Sequence, residues 1–342
     1  MALRTEEKVE GIKKVENMKA TAKANVNIAL IKYWGKRNEE LILPTNNSLS
    51  LTLDGLYTTT TVHFKEDLKE DIFYLDGERV LGMAYERVTQ FLDIIRKEAN
   101  KEHLFAEITS KNDVPTAAGF ASSASGFSAL AAAASKAIGL QLSDEELSRI
   151  TRRGSGSACR SIYGGFAEWE MGEKEDGSDC YAVPIAPKEH WDLRIAAVIL
   201  SDEEKSVSSR DGMRRTVETS PFFDGWVESN PIDLEGIKEG IKNRDFKKVG
   251  EIAEANCLKM HATTLGANPP FTYWTDETVK VMQEVRNMRE DGIQAYFTID
   301  AGPNVKVIYL PEDEQVIQER LQKLPEVTEI TLSKPGDGIT YL

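Results

Sequence analysis

Cysteine is scarce in this chain. Cys159, Cys180 and Cys257 are widely spaced and form no C-x-x-C pair, which excludes a zinc-ligand framework or a disulfide scaffold and favours a reducing compartment. No apolar run approaches the roughly 20 residues that cross a bilayer. The first 18 residues mix Lys and Glu without an apolar stretch, so they are no secretory signal. We expect an N-terminal extension or tag over residues 1–18 and a cytoplasmic protein without a membrane partner.

An excess of basic residues is also missing. The 42 Lys and Arg residues face 56 Asp and Glu residues, a net charge of −14. Nucleic acids and anionic membranes select proteins with a basic face, so neither is expected as the main partner. An anionic small molecule could still bind, but only in a local pocket of Lys, Arg and backbone N–H groups.

The length and the pattern of elements predict an α+β protein of two lobes. A chain of 342 residues exceeds what one hydrophobic core usually supports, and the mixed, non-repeating elements disfavour a doubly wound sheet. Asp76-Gly77 predicts a hairpin, and Ser143 with Glu146 predicts a capping box. We place the lobes at 19–192 and 193–342. Strands are expected at 24–34, 48–53, 58–64, 104–109, 193–200, 293–299 and 305–310, and helices at 82–100, 143–153, 210–226, 232–243, 246–265 and 277–290.

A Gly- and Ser-rich stretch, 115–126, opens a helix of small residues that continues to 140. Small residues let a backbone approach phosphate oxygens, and free N–H groups at a helix start hold anions. The hydroxyls of Ser122, Ser123 and Ser125 could add hydrogen bonds to phosphate or Mg²⁺. The alternative is an Ala/Ser packing helix without a ligand. The clustering of hydroxyls at the start favours phosphate binding, although the motif is not G-x-x-x-x-G-K-[ST].

Three cations fall within six residues of the stretch 27–37. Lys32 and Lys36 could pair with phosphate, and Tyr33 could donate its hydroxyl. The alternative is a strand end whose charges are merely solvated. An isolated asparagine such as Asn27 more often forms a turn or a hydrogen bond with the backbone.

The Gly- and Ser-rich stretch 152–161 carries Arg160, whose planar guanidinium suits a bidentate grip on a carboxylate. The alternative is an internal pair with Asp or Glu. The stretch 206–211 is a weaker anion signal that equally fits an ordinary helix N-cap.

Asp300 lies where a strand is expected to end, before a tight Gly302-Pro303 turn. Strand ends hold side chains on rigid scaffolding, which suits a base or an orienting carboxylate. Simple turn chemistry is the alternative. His261 lacks a partner motif, and we interpret it as structural.

In this order the segments 27–37, 46–50, 115–126, 152–161, 208–210 and 300–304 resemble the diphosphomevalonate decarboxylase family of the GHMP small-molecule kinase superfamily. Lys32-Tyr33-Trp34-Gly35-Lys36 together with 154–160 carries the specific part of the resemblance. It implies a two-lobed GHMP fold, with a ribosomal-protein-S5-like N-terminal lobe and an α/β sandwich C-terminal lobe. It also implies a homodimer and an active site between the lobes.

The resemblance further implies an enzyme that converts (R)-5-diphosphomevalonate and ATP to isopentenyl diphosphate, ADP, phosphate and CO₂, with Mg²⁺ assisting. By matched position, the catalytic residues would be Asp300, Arg160, Lys32 and Asn27. Substrate would also contact Tyr33, Trp34, Lys36, Ser155, Ser157, Ser209 and Arg210. ATP would contact Pro115, Ala118, Gly119, Ala121, Ser122, Ser123 and Ser125, with Mg²⁺ at Ser122 and Ser123.

Two other hypotheses remain at this point. A kinase relative could phosphorylate mevalonate or a related alcohol and stop before decarboxylation. A non-catalytic protein could keep the fold and only bind ligand.

Overall fold

The computed structural model describes residues 18–113, 122–201 and 206–342. Most of the expected N-terminal extension, and the predicted phosphate-binding residues Pro115, Ala118, Gly119 and Ala121, lie outside the described residues.

An eight-stranded mixed sheet forms the first lobe. Its strands follow the order β14-β1-β4-β7-β5-β6, with β8 joining β4 and β9 joining β8. All pairs are antiparallel except β5 with β7. The elements are β1 (Lys19–Ile31), β2 (Lys36–Asn38), β3 (Leu43–Pro44), β4 (Ser48–Lys65), β5 (Ile72–Leu75), β6 (Glu78–Arg79), α1 (Met83–Glu98), β7 (Phe105–Asp113), α2 (Ser122–Ile138), α3 (Asp144–Gly154), a 3-10 turn (Gly156–Ile162), β8 (Phe166–Trp169) and β9 (Ala182–Ala186).

A smaller antiparallel sheet, in the order β11-β12-β10-β13, forms the second lobe with helices packed on it. Its elements are β10 (Arg194–Ile199), α4 (Ser209–Thr219), α5 (Phe223–Asn243), α6 (Phe246–Leu265), α7 (Asp276–Glu290), β11 (Ala295–Thr298), β12 (Val305–Tyr309), α8 (Glu314–Gln322) and β13 (Glu329–Ser333); β14 (Thr340–Tyr341) returns to the first sheet.

Strand β1 is buried on both faces from Ala24 to Ile31. The small side chains of α2, including Ala131 to Ala134, let that helix approach β1 and β4 closely on one side. On the other side, Ile28 and Leu30 share a core with α5, α6 and β10 of the second lobe. Each such buried aliphatic side chain contributes about 2 kcal/mol, so one continuous core holds the end of β1 against the second lobe.

Several predictions from local sequence are confirmed, including the α+β class. Asp76 and Gly77 both have positive φ, 52° and 88°, in the β5–β6 turn. Ser143 and Glu146 form the reciprocal capping box of α3. The predicted helix at 246–265 has the same bounds as α6. These signals are local, so tertiary contacts were not needed to identify them.

Two predictions of element boundaries were wrong. The helix expected at 210–226 is interrupted after Thr219, and α5 then runs from Phe223 to Asn243 with Pro231 inside it. Packing of Trp226, Leu234 and Ile237 in the core outweighs the hydrogen bond that Pro231 cannot donate. The strands expected at 48–53 and 58–64 are one strand, β4, which passes through Gly55 at φ 78°.

The end of the chain lies on the first lobe. Tyr341 pairs with Ala22 of β1, and Pro335 bridges to Leu53 of β4. The lobe boundary near residue 193 stays a prediction.

Among the helices of the described residues, none is long and apolar enough to cross a membrane. Cys159, Cys180 and Cys257 are free thiols and fully buried.

Candidate functional site

A cleft of about 530 Å³ lies between the two lobes. The first lobe contributes the end of β1, helix α1, the start of α2 and the 3-10 turn, while the second contributes α4, α6 and the turn after Asp300. The predicted site residues that line it are Asn27, Lys32, Tyr33, Trp34, Lys36, Ser123, Ser155, Ser157, Arg160, Ser209, Arg210 and Asp300. Predicted residues from five separate sequence segments therefore meet in one place.

Lys32 and Asp300 form an ion pair across the lobes. Lys32 Nζ lies 2.7 Å from Asp300 Oδ1 and also donates to the main-chain oxygen of Ala29 at 2.9 Å. The lysine side chain is 3% exposed, whereas a third of the aspartate side chain faces the cleft. The carboxylate therefore keeps an accessible oxygen while its partner ammonium is shielded from water.

The surroundings hold Asp300 in its ionised form. Partial removal from water raises its pKa, but the attraction of Lys32, followed by that of Lys306 and Arg160, outweighs this effect and brings the pKa to about 2. The nearby His261 is buried against Trp274, with ring centroids 4.8 Å apart. Burial, with Lys32 as a second cause, lowers the pKa of His261 to about 4. At neutral pH, Asp300 is therefore an anion beside a neutral imidazole.

Arg160 is a buried cation with neutral partners. Its side chain, 2% exposed, donates to Asn27 Oδ1 at 3.2 Å and to the Ser48 hydroxyl. Asn27 in turn donates to Ser157 O and to the Ser161 hydroxyl, so its amide orients Arg160. In the parts of the chain that the structure describes, no carboxylate pairs with Arg160. Burial lowers the pKa of the guanidinium, as expected for a charge removed from water.

The segment after β1 contributes three different environments. Burial raises the pKa of Tyr33, with Glu39 as a second cause, so its hydroxyl remains a donor at neutral pH. Trp34 packs into the second lobe, where its Nε1 donates to Thr216 Oγ1 at 2.9 Å. Lys36 forms an ion pair with the exposed Glu39. Tyr33 packs against Trp169, with ring centroids 4.7 Å apart. Gly156 leaves room for both rings, because a Cβ there would lie 2.7 Å from Trp169 and 3.1 Å from Tyr33.

The start of α4 shows that the two interpretations of residues 206–211 are compatible. Ser208 is the N-cap, since its hydroxyl accepts from Asp211 N at 3.1 Å. The following Ser209 and Arg210 line the cleft in the first helical turn.

The serines at the start of α2 separate into different environments. Ser123 lines the cleft. Ser125 is fully buried, and its hydroxyl bonds to Thr58 Oγ1 at 2.8 Å. Helix α2 begins at Ser122. The structure therefore brings Ser123, but not Ser125, to the cleft.

Arg87 lines the cleft but was missed from the sequence. It lies on α1 with its guanidinium carbon 5.1 Å from the Phe127 ring centroid. Burial, and secondarily the charge of Arg210 in the same cleft, lowers the pKa of Arg87. Only the apolar face of α1 was readable as a pattern, and an arginine beside that face carries no local signal.

The charge of the cleft is opposite to that of the protein. Within the described residues, five cations line it (Lys32, Lys36, Arg87, Arg160 and Arg210) against two carboxylates (Glu39 and Asp300). Such a pocket suits a ligand that carries several negative charges.

The same residues also bear on metal binding. Among the described residues no group of three or more His, Cys, Asp or Glu side chains could hold a metal by itself. Mg²⁺ commonly uses one or two protein oxygens together with substrate phosphates, and the Ser123 hydroxyl at the cleft is an oxygen of that kind.

Comparison with known proteins gives the same assignment over both lobes. The family model for the diphosphomevalonate decarboxylase-like N-terminal domain matches residues 24–182, and that for the mevalonate 5-diphosphate decarboxylase C-terminal domain matches 195–335. The diphosphomevalonate decarboxylase of Candida albicans is 42% identical over 310 residues, covering 86% of this chain and 85% of its own.

Solved structures agree. Mevalonate diphosphate decarboxylase from Staphylococcus aureus is 46% identical with a TM-score of 0.90, covering 95% of this chain and 98% of its own. MDDEF, solved in complex with MVAPP, AMPPCP and magnesium, is 48% identical with a TM-score of 0.89 and the same coverage. The resemblance carried by the sequence motifs is confirmed, and the chain belongs to the diphosphomevalonate decarboxylase family.

Proposed function

We propose that this chain is the enzyme that decarboxylates (R)-5-diphosphomevalonate at the expense of ATP, giving isopentenyl diphosphate, ADP, phosphate and CO₂ for isoprenoid synthesis. One observation carries the proposal: the buried Arg160 has no carboxylate partner among the described residues, and it lines the same cleft as the Lys32–Asp300 pair. A buried cation left unpaired is costly. An acid-bearing ligand that reacts beside an ionised aspartate would supply the missing partner.

The chemistry explains why both groups are needed. The substrate carboxylate lies beta to a tertiary alcohol, and no carbonyl is available to accept the electrons released when CO₂ departs. The C3 hydroxyl oxygen attacks the γ-phosphorus of ATP as the bond from that phosphorus to ADP breaks, and the hydroxyl proton passes to solvent water. The pair of electrons of the C–CO₂⁻ bond then forms the double bond as the C3–O bond breaks and phosphate leaves.

Each residue role follows from its position. Asp300 accepts the hydrogen bond of the C3 hydroxyl and aligns its oxygen for in-line attack, while Lys32 balances negative charge near the transferred phosphoryl group. Arg160, oriented by Asn27, holds the carboxylate. A carboxylate with a pKa near 2 is a weak proton acceptor, which favours alignment over full proton removal as the role of Asp300.

The remaining cations and hydroxyls fit the diphosphate and the nucleotide. Lys36, Arg210 and Arg87 line the cleft, and we assign them to the substrate diphosphate. Tyr33, Trp34, Ser155, Ser157 and Ser209 complete the proposed substrate contacts. The start of α2, with Ser122 and Ser123, is assigned to ATP phosphates. Mg²⁺, held by those phosphates with the predicted pair Ser122 and Ser123, would neutralise charge on the transferred group.

We also propose that the chain is a cytoplasmic homodimer. Free, buried thiols fit a reducing compartment, and exposed apolar side chains on the second lobe, such as Phe222 and Ile232, would gain from a partner surface. Light scattering should give twice the chain mass of 38.1 kDa. A mass of 38.1 kDa at micromolar concentration would contradict the dimer.

The function is tested by incubating the purified chain with ATP, Mg²⁺ and diphosphomevalonate and measuring ADP and CO₂ together. Equal amounts of both are expected. ADP without CO₂ would indicate the kinase alternative, and neither product would indicate a non-catalytic protein. Mevalonate replaces diphosphomevalonate in the matched control, which should release no CO₂.

A further inference from the structure

Two consecutive residues of α6 bind the main chain on the two sides of the Lys32–Asp300 pair. Asn256 Oδ1 accepts a hydrogen bond from the main-chain N–H of Lys32 at 2.8 Å. Cys257 Sγ lies 3.1 Å from the N–H of Ile299 and 3.3 Å from its carbonyl oxygen. Ile299 directly precedes Asp300, so one turn of one helix contacts the backbone of Lys32 and of the residue before Asp300.

The Asn256 side chain is fixed in one orientation. It is fully buried, and its Nδ2 donates to Asp233 Oδ2 at 2.9 Å. Lys259 Nζ donates to the same carboxylate at 2.7 and 2.8 Å. Because Nδ2 faces a carboxylate and Oδ1 faces an N–H group, a flipped amide would lose both bonds. The hydrogen bond to Lys32 is therefore anchored in the second lobe.

Lys32 is held from the other direction as well. Strand β1 ends at Ile31, so the main-chain groups of Lys32 lie just past the ladder. Its carbonyl oxygen accepts from Asn46 Nδ2 at 2.8 Å. Side chains thus hold both main-chain groups of Lys32.

The Cys257 thiol can act as donor and acceptor at once. Burial raises its pKa to about 11, so the sulfur keeps its proton at neutral pH. The S–H group then donates to the Ile299 carbonyl while the sulfur accepts from the Ile299 N–H. This double contact ties the end of the strand to α6 immediately before Asp300.

We propose that Asn256 and Cys257 are positioning residues that set the separation between the Lys32 ammonium and the Asp300 carboxylate, using α6 as a shared reference for the two lobes. The inference rests on the proposed function for its catalytic meaning. Neither residue is among those that line the cleft. Asn256 acts through the main chain of Lys32, and Cys257 acts through the main chain of Ile299, next to Asp300. A displacement of about 1 Å in such a pair can reduce turnover by about 100-fold.

The experiment uses Asn256→Leu and Cys257→Ala in the full chain. Each should lower kcat about 10- to 100-fold, with KM for ATP and for diphosphomevalonate within about threefold of wild type, since Arg160 and the other binding cations are untouched. Cys257→Ser retains a donor and an acceptor and should recover most of the lost kcat. A purely structural role would lower thermal stability without this separation of kcat from KM.

Matched controls come from the same chain. Asn230 is a buried asparagine on α5, and Cys180 is a buried thiol in the first lobe; the structure records no contact of either side chain with Lys32 or Asp300. Asn230→Leu and Cys180→Ala should retain wild-type kcat within about twofold, although they disturb a core to a similar degree.

Crystal structures of the two variants give a readout independent of activity. The Lys32 Nζ to Asp300 Oδ1 distance should lengthen beyond hydrogen-bond range from 2.7 Å. Wild-type kcat in both variants, or an unchanged distance, would overturn the positioning role. If Asn256→Leu does not fold, Cys257→Ala decides alone. Absence of CO₂ release by the wild type would refute the proposed function instead, and the distance would still test the positioning.

Discussion

The two cationic centres of the cleft differ in how their charge is balanced. Lys32 already has a carboxylate, Asp300, at 2.7 Å. Arg160, equally buried, is surrounded by the neutral Asn27 and Ser48. Lys32 and Asp300 balance each other's charge, which suits a reacting hydroxyl. The second keeps its positive charge, which suits a substrate acid, so the comparison divides the cleft into a reacting end and a gripping end.

The largest effect is expected at the reacting end. Asp300→Asn keeps the shape but removes the negative charge that aligns the hydroxyl and balances Lys32. We expect kcat to fall by about 1000-fold, while titration with an ATP analogue still shows nucleotide binding. Near-normal turnover would mean that Asp300 takes no part in the reaction and that the Lys32–Asp300 pair is not the reacting end of the cleft.

Lys32→Met tests the other half of the pair and has a pH signature. Asp300, faced by Lys32, Lys306 and Arg160, is ionised above about pH 2. Its titration therefore causes no loss of kcat near neutral pH in the wild type. Burial raises the pKa of Asp300, and the charge of Lys32 counteracts that effect. Removing Lys32 should therefore raise the pKa of Asp300. We expect about 100-fold lower kcat and an acid limb displaced to higher pH in the kcat profile.

The control for that variant is Lys188→Met, which removes a lysine from a surface ion pair with Asp337. It should leave the pH profile in place. An unshifted acid limb in Lys32→Met would mean that Lys32 does not set the charge of Asp300.

Arg160→Gln tests the gripping end. A neutral amide can still bond to Asn27 but cannot balance a carboxylate, so kcat/KM for diphosphomevalonate should fall about 100-fold. The KM for ATP should change little. Arg79→Gln, at an exposed arginine paired with Glu70, is the matched control. Equal kinetics in the two variants would mean that Arg160 grips no substrate.

The smallest effect distinguishes two neighbouring serines of α2. Ser123 lines the cleft, whereas the Ser125 hydroxyl bonds to Thr58. We expect Ser123→Ala to raise the KM for ATP about 10-fold. Ser125→Ala should leave that KM unchanged and cost about 1 kcal/mol of unfolding free energy in denaturant titration. The reverse pattern would assign nucleotide binding to Ser125 and not to Ser123, whereas the sequence alone predicted ATP contacts for both.

The fold was predictable where its signal was local. A turn at Asp76-Gly77 and a capping box at Ser143 need no distant partner, and both were found. The prediction failed where packing overrides a local preference. Pro231 lies between the helices predicted at 210–226 and 232–243, yet buried side chains around it stabilise one continuous helix, α5. Gly55 lies between the strands predicted at 48–53 and 58–64, yet pairing with neighbouring strands makes them one continuous strand, β4.

The sequence by itself determined which chemical groups this protein has. The lysines after β1, the arginine of the Gly-Ser segment and the aspartate before Gly302-Pro303 could be identified from their order along the chain. Only the tertiary structure decided which charges are balanced, because pairing depends on distance across lobes. Lys32 meets Asp300 from 268 residues away, Arg87 enters the cleft without any motif, and Asn256 reaches the backbone of Lys32 through a shared core.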